Sequence, residues 1–277
     1  MKLINGFALM EYAQKRRYIL PAFNTTNLEM TRAIAKGLER AGLPGYIQIS
    51  SSNLRLSDPQ IIADIARDAV RNTTVPIGLH LDHGTSSEDV KACVEAGFTS
   101  IMVDASHLPF NQNVAQVRET VEYCHFYGIP VEAELGAIRG KEEDIDVDEN
   151  AKTDPNMVEE FVRETGCDLL AVSIGNVHGL ALQPHLDIPL LGAISQVCPV
   201  PLVLHGGSGI PADAIRKAKQ FGLLKINYGS DLRHEYIRAF GEAYEKDHGA
   251  FQMLELCMRS VEYVSERVYT LTKMVNQ

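Results

Sequence analysis

Short apolar, β-branched runs alternate with amphipathic helical segments along most of this 277-residue chain. Eight runs have the composition of strands: Ile19–Phe23, Gly45–Ile49, Pro76–Leu81, Ser100–Val103, Pro130–Glu134, Leu169–Val172, Pro201–Leu204 and Leu223–Asn227. Helices are predicted to begin near Leu28, Asp58, Ser86, Gln112, Asn156, Leu190, Pro211 and Ser230. Alternation of this kind pairs strands in parallel through right-handed crossovers. Eight such units close into a (β/α)8 TIM barrel, which is the predicted α/β fold.

The tail from Phe251 to Val275 has helical apolar spacing and predicts an additional C-terminal helical segment. A hydrophobic content of 45% can fill a large core, so residues 1–277 are expected to form a single barrel domain. A doubly wound open sheet is the alternative fold. It is disfavoured because no GxGxxG motif follows the first strand.

The composition excludes several classes of partner. A formal charge of −10 and the absence of a long basic run argue against nucleic-acid binding. No apolar stretch approaches the roughly 20 residues that cross a bilayer, so no membrane association is expected. The five cysteines are scattered and are expected to be reduced. These features predict a cytoplasmic protein.

Three histidine segments follow strand-like runs and are flanked by glycine. They contain His83, His178 and His205, which the barrel topology would deliver to one rim from strands three, six and seven. Three imidazoles make an open metal site, because catalytic zinc takes about three protein ligands and leaves a position for substrate. The sequence therefore predicts a metal centre that does chemistry.

Other polar residues fall on the same rim. Asp82 neighbours a metal ligand and is either a general acid/base or a carboxylate that orients a histidine. Asp104 and Glu134 are candidate carboxylates for an alternative metal position. Lys225 lies on the same side of its strand as Asn227 and could form a Schiff base, but three strand-end histidines favour a supporting role for it.

The glycine-rich segment Gly206–Pro211 follows the seventh strand and leads into a helix. Backbone amides at such a position can bind an anion, and the loops after strands seven and eight commonly hold phosphate in barrels. Asn227 and Ser230 would complete this cradle. The acidic segment from Gly136 to Asp154 is either a solvated loop or a lid over the site, with Glu142 as its candidate functional residue.

At these residues the sequence resembles the class II, metal-dependent ketose-bisphosphate aldolases, including the fructose- and tagatose-bisphosphate enzymes. The resemblance covers most of the chain and is carried by an ordered set of motifs. They are Pro21-Ala22-Phe23-Asn24, Leu79-His80-Leu81-Asp82-His83-Gly84, Ser100-Ile101-Met102-Val103-Asp104-Ala105-Ser106-His107, Val131-Glu132-Ala133-Glu134-Leu135-Gly136, Val177-His178-Gly179, Leu204-His205-Gly206-Gly207-Ser208-Gly209 and Lys225-Ile226-Asn227.

The resemblance implies a role for each matching residue. Zinc would be held by His83, His178 and His205, with Asp104 and Glu134 at a second or alternative divalent position; a monovalent cation is a further candidate. Asp82 matches the acid/base at the C4 oxygen, and Glu142 matches the loop residue that moves the proton at C3. The positions that match the substrate-binding residues are Asn24, Gly179, Gly206, Gly207, Ser208, Asn227 and Ser230.

The implied activity is reversible cleavage of a ketose 1,6-bisphosphate into dihydroxyacetone phosphate and glyceraldehyde 3-phosphate, a lyase reaction of glycolysis and related carbohydrate metabolism. A homodimer or homotetramer is expected. Gly229 stands where strict fructose-bisphosphate enzymes have aspartate, which favours the tagatose type or another phosphorylated ketose. A metal-assisted hydrolase or epimerase and a non-catalytic sugar-phosphate-binding subunit are the alternatives.

Overall fold

Eight parallel strands form a closed barrel in the computed structural model, which confirms the predicted fold class. The structure describes residues 2–142, 145–147, 152–179 and 184–277, and for 139–142 and 145–147 the description covers the backbone alone. The barrel strands are β1 (Leu20–Asn24), β2 (Gly45–Ser50), β3 (Ile77–Gly84), β4 (Ser100–Val103), β5 (Val131–Leu135), β8 (Leu169–Val172), β10 (Leu202–Leu204) and β11 (Leu223–Tyr228). Each predicted strand corresponds to one of them, within three residues at either end.

The strands follow one another around the barrel in chain order, and β1 closes it by pairing with β11. All of their carboxyl ends therefore meet at one rim, where barrel enzymes place their chemistry.

Helices fill the connections between the strands and extend beyond them. They are α1 (Gly6–Arg16), α2 (Leu28–Ala41), α3 (Pro59–Ala69), α4 (Ser87–Glu95), α5 (Phe110–Phe126), α6 (Pro155–Thr165), α7 (Ile188–Val197), α8 (Ala212–Lys219), α9 (Ser230–Lys246) and α10 (Met253–Asn276). The side chains of Asn27, Asp58 and Ser86 accept hydrogen bonds from the first turns of α2, α3 and α4, which fixes where these helices begin. The C-terminal helical segment was predicted and is α10.

Alternate residues of each strand face opposite layers of the molecule. In β2, Ile47 and Ile49 point outward into the main core, where the strands pack on the helices. Tyr46 points inward and belongs to a smaller apolar cluster with Leu9 and Ala13 of α1. The first helix was not predicted from the sequence. Because its residues pack with the inner apolar cluster, it covers the amino-terminal end of the barrel.

A second sheet lies beside the barrel rim. It contains β6 (Arg139–Glu142), β7 (Ile145–Val147) and the two-residue β9 (Val177–His178). Strand β6 pairs antiparallel with β7 and parallel with β9, so that Gly140 is the partner of His178. The acidic segment predicted as a loop therefore contains the paired strands β6 and β7, and the backbone of β6 is bonded to a strand that carries one of the site histidines.

None of the helices in the described part of the chain is long and apolar enough to cross a membrane.

The packing of α10 against α2 depends on Gly37. A Cβ atom at this position would lie 2.6 Å from Val268 and 2.7 Å from the backbone oxygen of Ser265. We therefore expect Gly37→Ala to push the helices apart and to lower the free energy of unfolding by about 1–3 kcal/mol in urea denaturation. The control is Gly241→Ala in exposed α9, where nothing lies within 4 Å and a gain of about 0.5–1 kcal/mol is expected. Equal stability of the wild type and Gly37→Ala would contradict the packing described.

Candidate active site

Three imidazole rings meet at the carboxyl rim of the barrel. The ring centroids of His83 and His205 are 4.7 Å apart, and those of His83 and His178 are 5.6 Å apart. One ring nitrogen from each of His83, His178 and His205 lies within 4.8 Å of the other two. The structure thus brings the three predicted ligands together in an arrangement that could hold one metal ion.

His83 reaches this cluster through an unusual backbone conformation. Its φ is 48°, in the left-handed region that costs a residue with a side chain about 1–2 kcal/mol. The pairing of β3 with β4 also shifts register between Leu81 and Gly84. In a regular strand, the consecutive residues Asp82 and His83 would face opposite sides of the sheet. The distorted strand end instead lets both contribute to the rim.

Two carboxylates stand beside His83. Asp104 Oδ2 is 2.8 Å from His83 Nδ1, and His83, Asp104 and Glu134 form a second group whose ligand atoms lie within 4.8 Å. Burial alone would raise the pKa of Asp104, but the hydrogen bond and charge of His83 hold it well below its usual range. The pKa of Glu134 is raised by its burial and by the charge of Asp104.

The donor set fits a metal. The buried atoms His205 Nδ1 and Glu134 Oε2 lie 3.4 Å apart as an ion pair, and neither meets a partner in hydrogen-bond geometry. Buried polar atoms in native proteins nearly always have a hydrogen-bond partner, so these two atoms are candidate ligands for an ion from outside the chain. Imidazole nitrogens with carboxylate oxygens are ligands that zinc and similar divalent ions prefer.

Glu132 fixes the orientation of the His205 ring. Its Oε1 lies 2.8 Å from His205 Nε2, and its Oε2 forms an ion pair with the ammonium of Lys225 at 2.9 Å. Burial would raise the pKa of Glu132, but the Lys225 charge and the His205 hydrogen bond lower it, so this carboxyl is ionised at neutral pH. Because Glu132 bonds Nε2, the other ring nitrogen of His205 faces the cluster.

Lys225 and His80 belong to the same buried network. The Lys225 ammonium also donates to Asn227 Oδ1 at 2.8 Å and lies 3.4 Å from His80 Nε2. His80 Nδ1 is 2.8 Å from Ser100 Oγ. Its pKa lies well below 6.5, chiefly because it is buried and secondly because of the Lys225 charge. These contacts fit the supporting role predicted for Lys225, since a Schiff-base lysine would need an amine with no such ion pair.

Asp82 lies at the centre of a shell of amides. Its Oδ2 accepts from Asn24 Nδ2 at 2.7 Å and from Gln48 Nε2 at 3.1 Å, and its Oδ1 accepts from Asn227 Nδ2 at 2.9 Å. A carboxylate has about four acceptor positions, so roughly one stays available to a further donor. The shell fixes the orientation of a buried carboxylate next to the imidazole cluster.

A polar pocket opens beside His178. The other residues that line it are Asn24, Gly179, Gly206, Ser208, Asn227, Gly229, Ser230 and Arg233. Six of the seven predicted substrate-binding residues are among them; the seventh, Gly207, donates its amide to the Asn227 carbonyl instead. Gly206 has a φ of 63°, and a Cβ there would lie 2.2 Å from the Val177 carbonyl oxygen, so this turn requires glycine.

Some functional residues were missed from the sequence, and one prediction is untested. Gln48, Glu132 and Arg233 were not proposed as site residues, although Glu132 shares a strand face with Glu134 and Arg233 lies one helical turn after Ser230. Glu142 is in β6, but its side chain lies outside the described part of the chain. Its predicted role therefore stays a prediction.

Comparison with known proteins agrees with this geometry. The family model "Fructose-bisphosphate aldolase class-II" matches residues 5–277. This chain belongs to the class II fructose-bisphosphate aldolase family. It is therefore a carbon–carbon lyase, and metal dependence is general in the family.

Relatives that the chain matches include bacterial enzymes. A fructose-bisphosphate aldolase from Geobacillus stearothermophilus is 37% identical over 255 residues, which is 91% of this chain and 89% of that protein. One from Staphylococcus aureus (strain Mu50 / ATCC 700699) is 35% identical over 272 residues, 97% of this chain and 95% of that protein. The crystal structure of the YdjI aldolase from Escherichia coli K12 superposes with a TM-score of 0.86 at 31% identity, covering 99% of this chain and 97% of that one.

A double-variant experiment tests the buried ion pair of Glu132 and Lys225. Glu132→Gln should cost about 3–5 kcal/mol of unfolding free energy, because it leaves the Lys225 ammonium buried without a counter-charge. Adding Lys225→Met should recover most of this loss in urea denaturation. Glu266→Gln, which removes one partner of an exposed ion pair with Arg40, should cost less than about 1 kcal/mol. A stability for Glu132→Gln that matches this control would contradict the network.

Proposed function

We propose that the protein is a zinc-dependent aldolase that reversibly cleaves a ketose 1,6-bisphosphate, tagatose or fructose 1,6-bisphosphate, into dihydroxyacetone phosphate and glyceraldehyde 3-phosphate. The observation that carries the proposal is the juxtaposition of the imidazole cluster of His83, His178 and His205 with the amide-bound carboxylate of Asp82. The names of the relatives support the same substrate class.

His83, His178 and His205 would hold the zinc, with Asp104 and Glu134 available at an alternative position. When bound, the metal supplies positive charge that stabilises the negative charge that develops on the substrate oxygens as the carbon–carbon bond breaks. Glu132 keeps His205 in the orientation that binding needs. A monovalent cation near the same rim is a further candidate cofactor.

Asp82 would take the proton of the C4 hydroxyl during cleavage and return it during condensation. Its remaining acceptor position suits a substrate hydroxyl, and the amides of Asn24, Gln48 and Asn227 prevent it from turning away. Glu142 would move the proton at C3. That assignment rests on the resemblance together with the pairing of β6 to the strand of His178.

The phosphate of the dihydroxyacetone half would lie in the pocket beside His178. Glycine and serine at positions 179, 206 and 208 let backbone amides approach an anion, and the first turn of α9 presents Ser230. The other product half would extend from this pocket past Asp82, where the bond is cleaved.

The function is tested by measuring release of dihydroxyacetone phosphate from both ketose bisphosphates. Chelator treatment should abolish cleavage, and added zinc should restore it. Asp82→Asn should lower the rate by about 10²–10⁴-fold while metal content is unchanged, because only the proton transfer is removed. Asp64→Asn on exposed α3 is the matched control. Chelator-resistant cleavage trapped by borohydride, or loss of metal from Asp82→Asn, would contradict the proposal.

Self-association as a homodimer or homotetramer is also proposed. Four apolar side chains around the start of α10 are exposed: Phe251 by 82%, Met253 by 62%, Leu254 by 75% and Met258 by 63%. Exposed apolar patches commonly mark interfaces. Leu254→Glu should lower the mass measured by sedimentation, whereas Ile61→Glu on α3 should not. An unchanged mass for Leu254→Glu would exclude this surface.

A further inference from the structure

Arg233 lines the pocket beside His178, although nothing in the sequence pattern marked it as a site residue. Helix α9 begins at Ser230, directly after β11, so its first turn stands on the carboxyl rim. Arg233 is one turn further along and shares the pocket with Gly206, Ser208 and Ser230. Its side chain is half-buried. A guanidinium therefore reaches the place where the proposed function puts a phosphate.

Gly229 is what leaves room for this guanidinium. A Cβ atom at position 229 would lie 2.6 Å from Arg233 Nη2 and 3.1 Å from Asn24 Oδ1. The φ of Gly229 is −120°, which any residue can adopt, so the close approach and not the backbone conformation favours glycine. The chain has glycine and not aspartate at position 229, and this small residue is what allows Arg233 to lie in the pocket.

The charges of the residues that line the pocket indicate a role for Arg233. Apart from His178, the other described residues that line it are glycines, serines and asparagines, so Arg233 supplies its permanent positive charge. The whole chain carries a formal charge of −10, which repels an anionic ligand at long range. A guanidinium offers two parallel N–H groups that match two phosphate oxygens.

We propose that Arg233 is a phosphate-binding residue of this site. Its guanidinium, which lies in the space that Gly229 leaves open, donates hydrogen bonds to the phosphate of the dihydroxyacetone half. The inference rests on the proposed function for the identity of the ligand. It adds a charged ligand to a cradle otherwise built from backbone amides and neutral side chains. It also ties position 229 to phosphate recognition.

The test measures binding of inorganic phosphate to the metal-loaded protein by calorimetry at constant ionic strength, so that turnover is not needed. Arg233→Gln should weaken binding about 10- to 100-fold, the range expected for a lost charge-assisted hydrogen bond. Arg233→Lys should recover part of the loss as a point charge. Arg238→Gln, which removes an exposed arginine of the same helix that pairs with Glu235 and Glu242, should match the wild type.

Gly229→Asp is the second variant. The clash is with the end of a flexible side chain, so the fold should survive while Arg233 is displaced and phosphate binding weakens. Phosphate affinity within twofold of wild type for Arg233→Gln, an equal loss for Arg238→Gln, or no phosphate binding by the wild type would each overturn the inference. Arginine-dependent phosphate binding in a protein that cleaves neither ketose bisphosphate would instead overturn the proposed function and leave this inference standing.

Discussion

The carboxylate of Glu132 connects a buried ion pair inside the barrel with the residues of the candidate active site. It is fully buried, and one of its oxygens is hydrogen-bonded to His205 at 2.8 Å while the other forms an ion pair with the Lys225 ammonium at 2.9 Å. Lys225 in turn donates to Asn227, and Asn227 donates to Asp82. An imidazole of the metal cluster and the proposed acid/base are therefore both positioned from one buried ion pair. Such a pair is tolerated only when every charge in it has a partner, which explains the dense hydrogen bonding around it.

The proposed phosphate pocket meets a different electrostatic requirement. The protein is acidic overall, so attraction for the doubly phosphorylated substrate of the proposed function must be built locally. Glycines at tight turns, the first residue of α9 and Arg233 all line one pocket, where backbone amides and a guanidinium could bind an anion. Hydrogen-bond donors of this kind act within a few ångströms of an anion. The negative charges on the rest of the protein lie further away and are screened by solvent and salt, so the local attraction stays effective.

Much of the architecture was accessible from the sequence, because the signals are local. Apolar runs separated by capped amphipathic helices located eight strands and most helices, and the parallel topology then put His83, His178 and His205 on one rim. Helix α1 was missed because it lies outside the strand–helix repeat. Strands β6 and β7 were missed because β6 pairs with the distant two-residue strand β9, and the sequence of an acidic segment does not indicate such a partner.

The sequence by itself determined the barrel, the set of imidazoles and carboxylates at its rim, and the glycine turn at Gly206, since each follows from residue type and strand period. Only the tertiary structure decided how these groups meet. The left-handed conformation of His83 brings it to the rim beside Asp82 against the strand alternation, and Gln48 and Glu132 contact residues far away in the chain. The space at Gly229 that receives Arg233 likewise exists only in the folded molecule, because it depends on the direction of a helix relative to a strand.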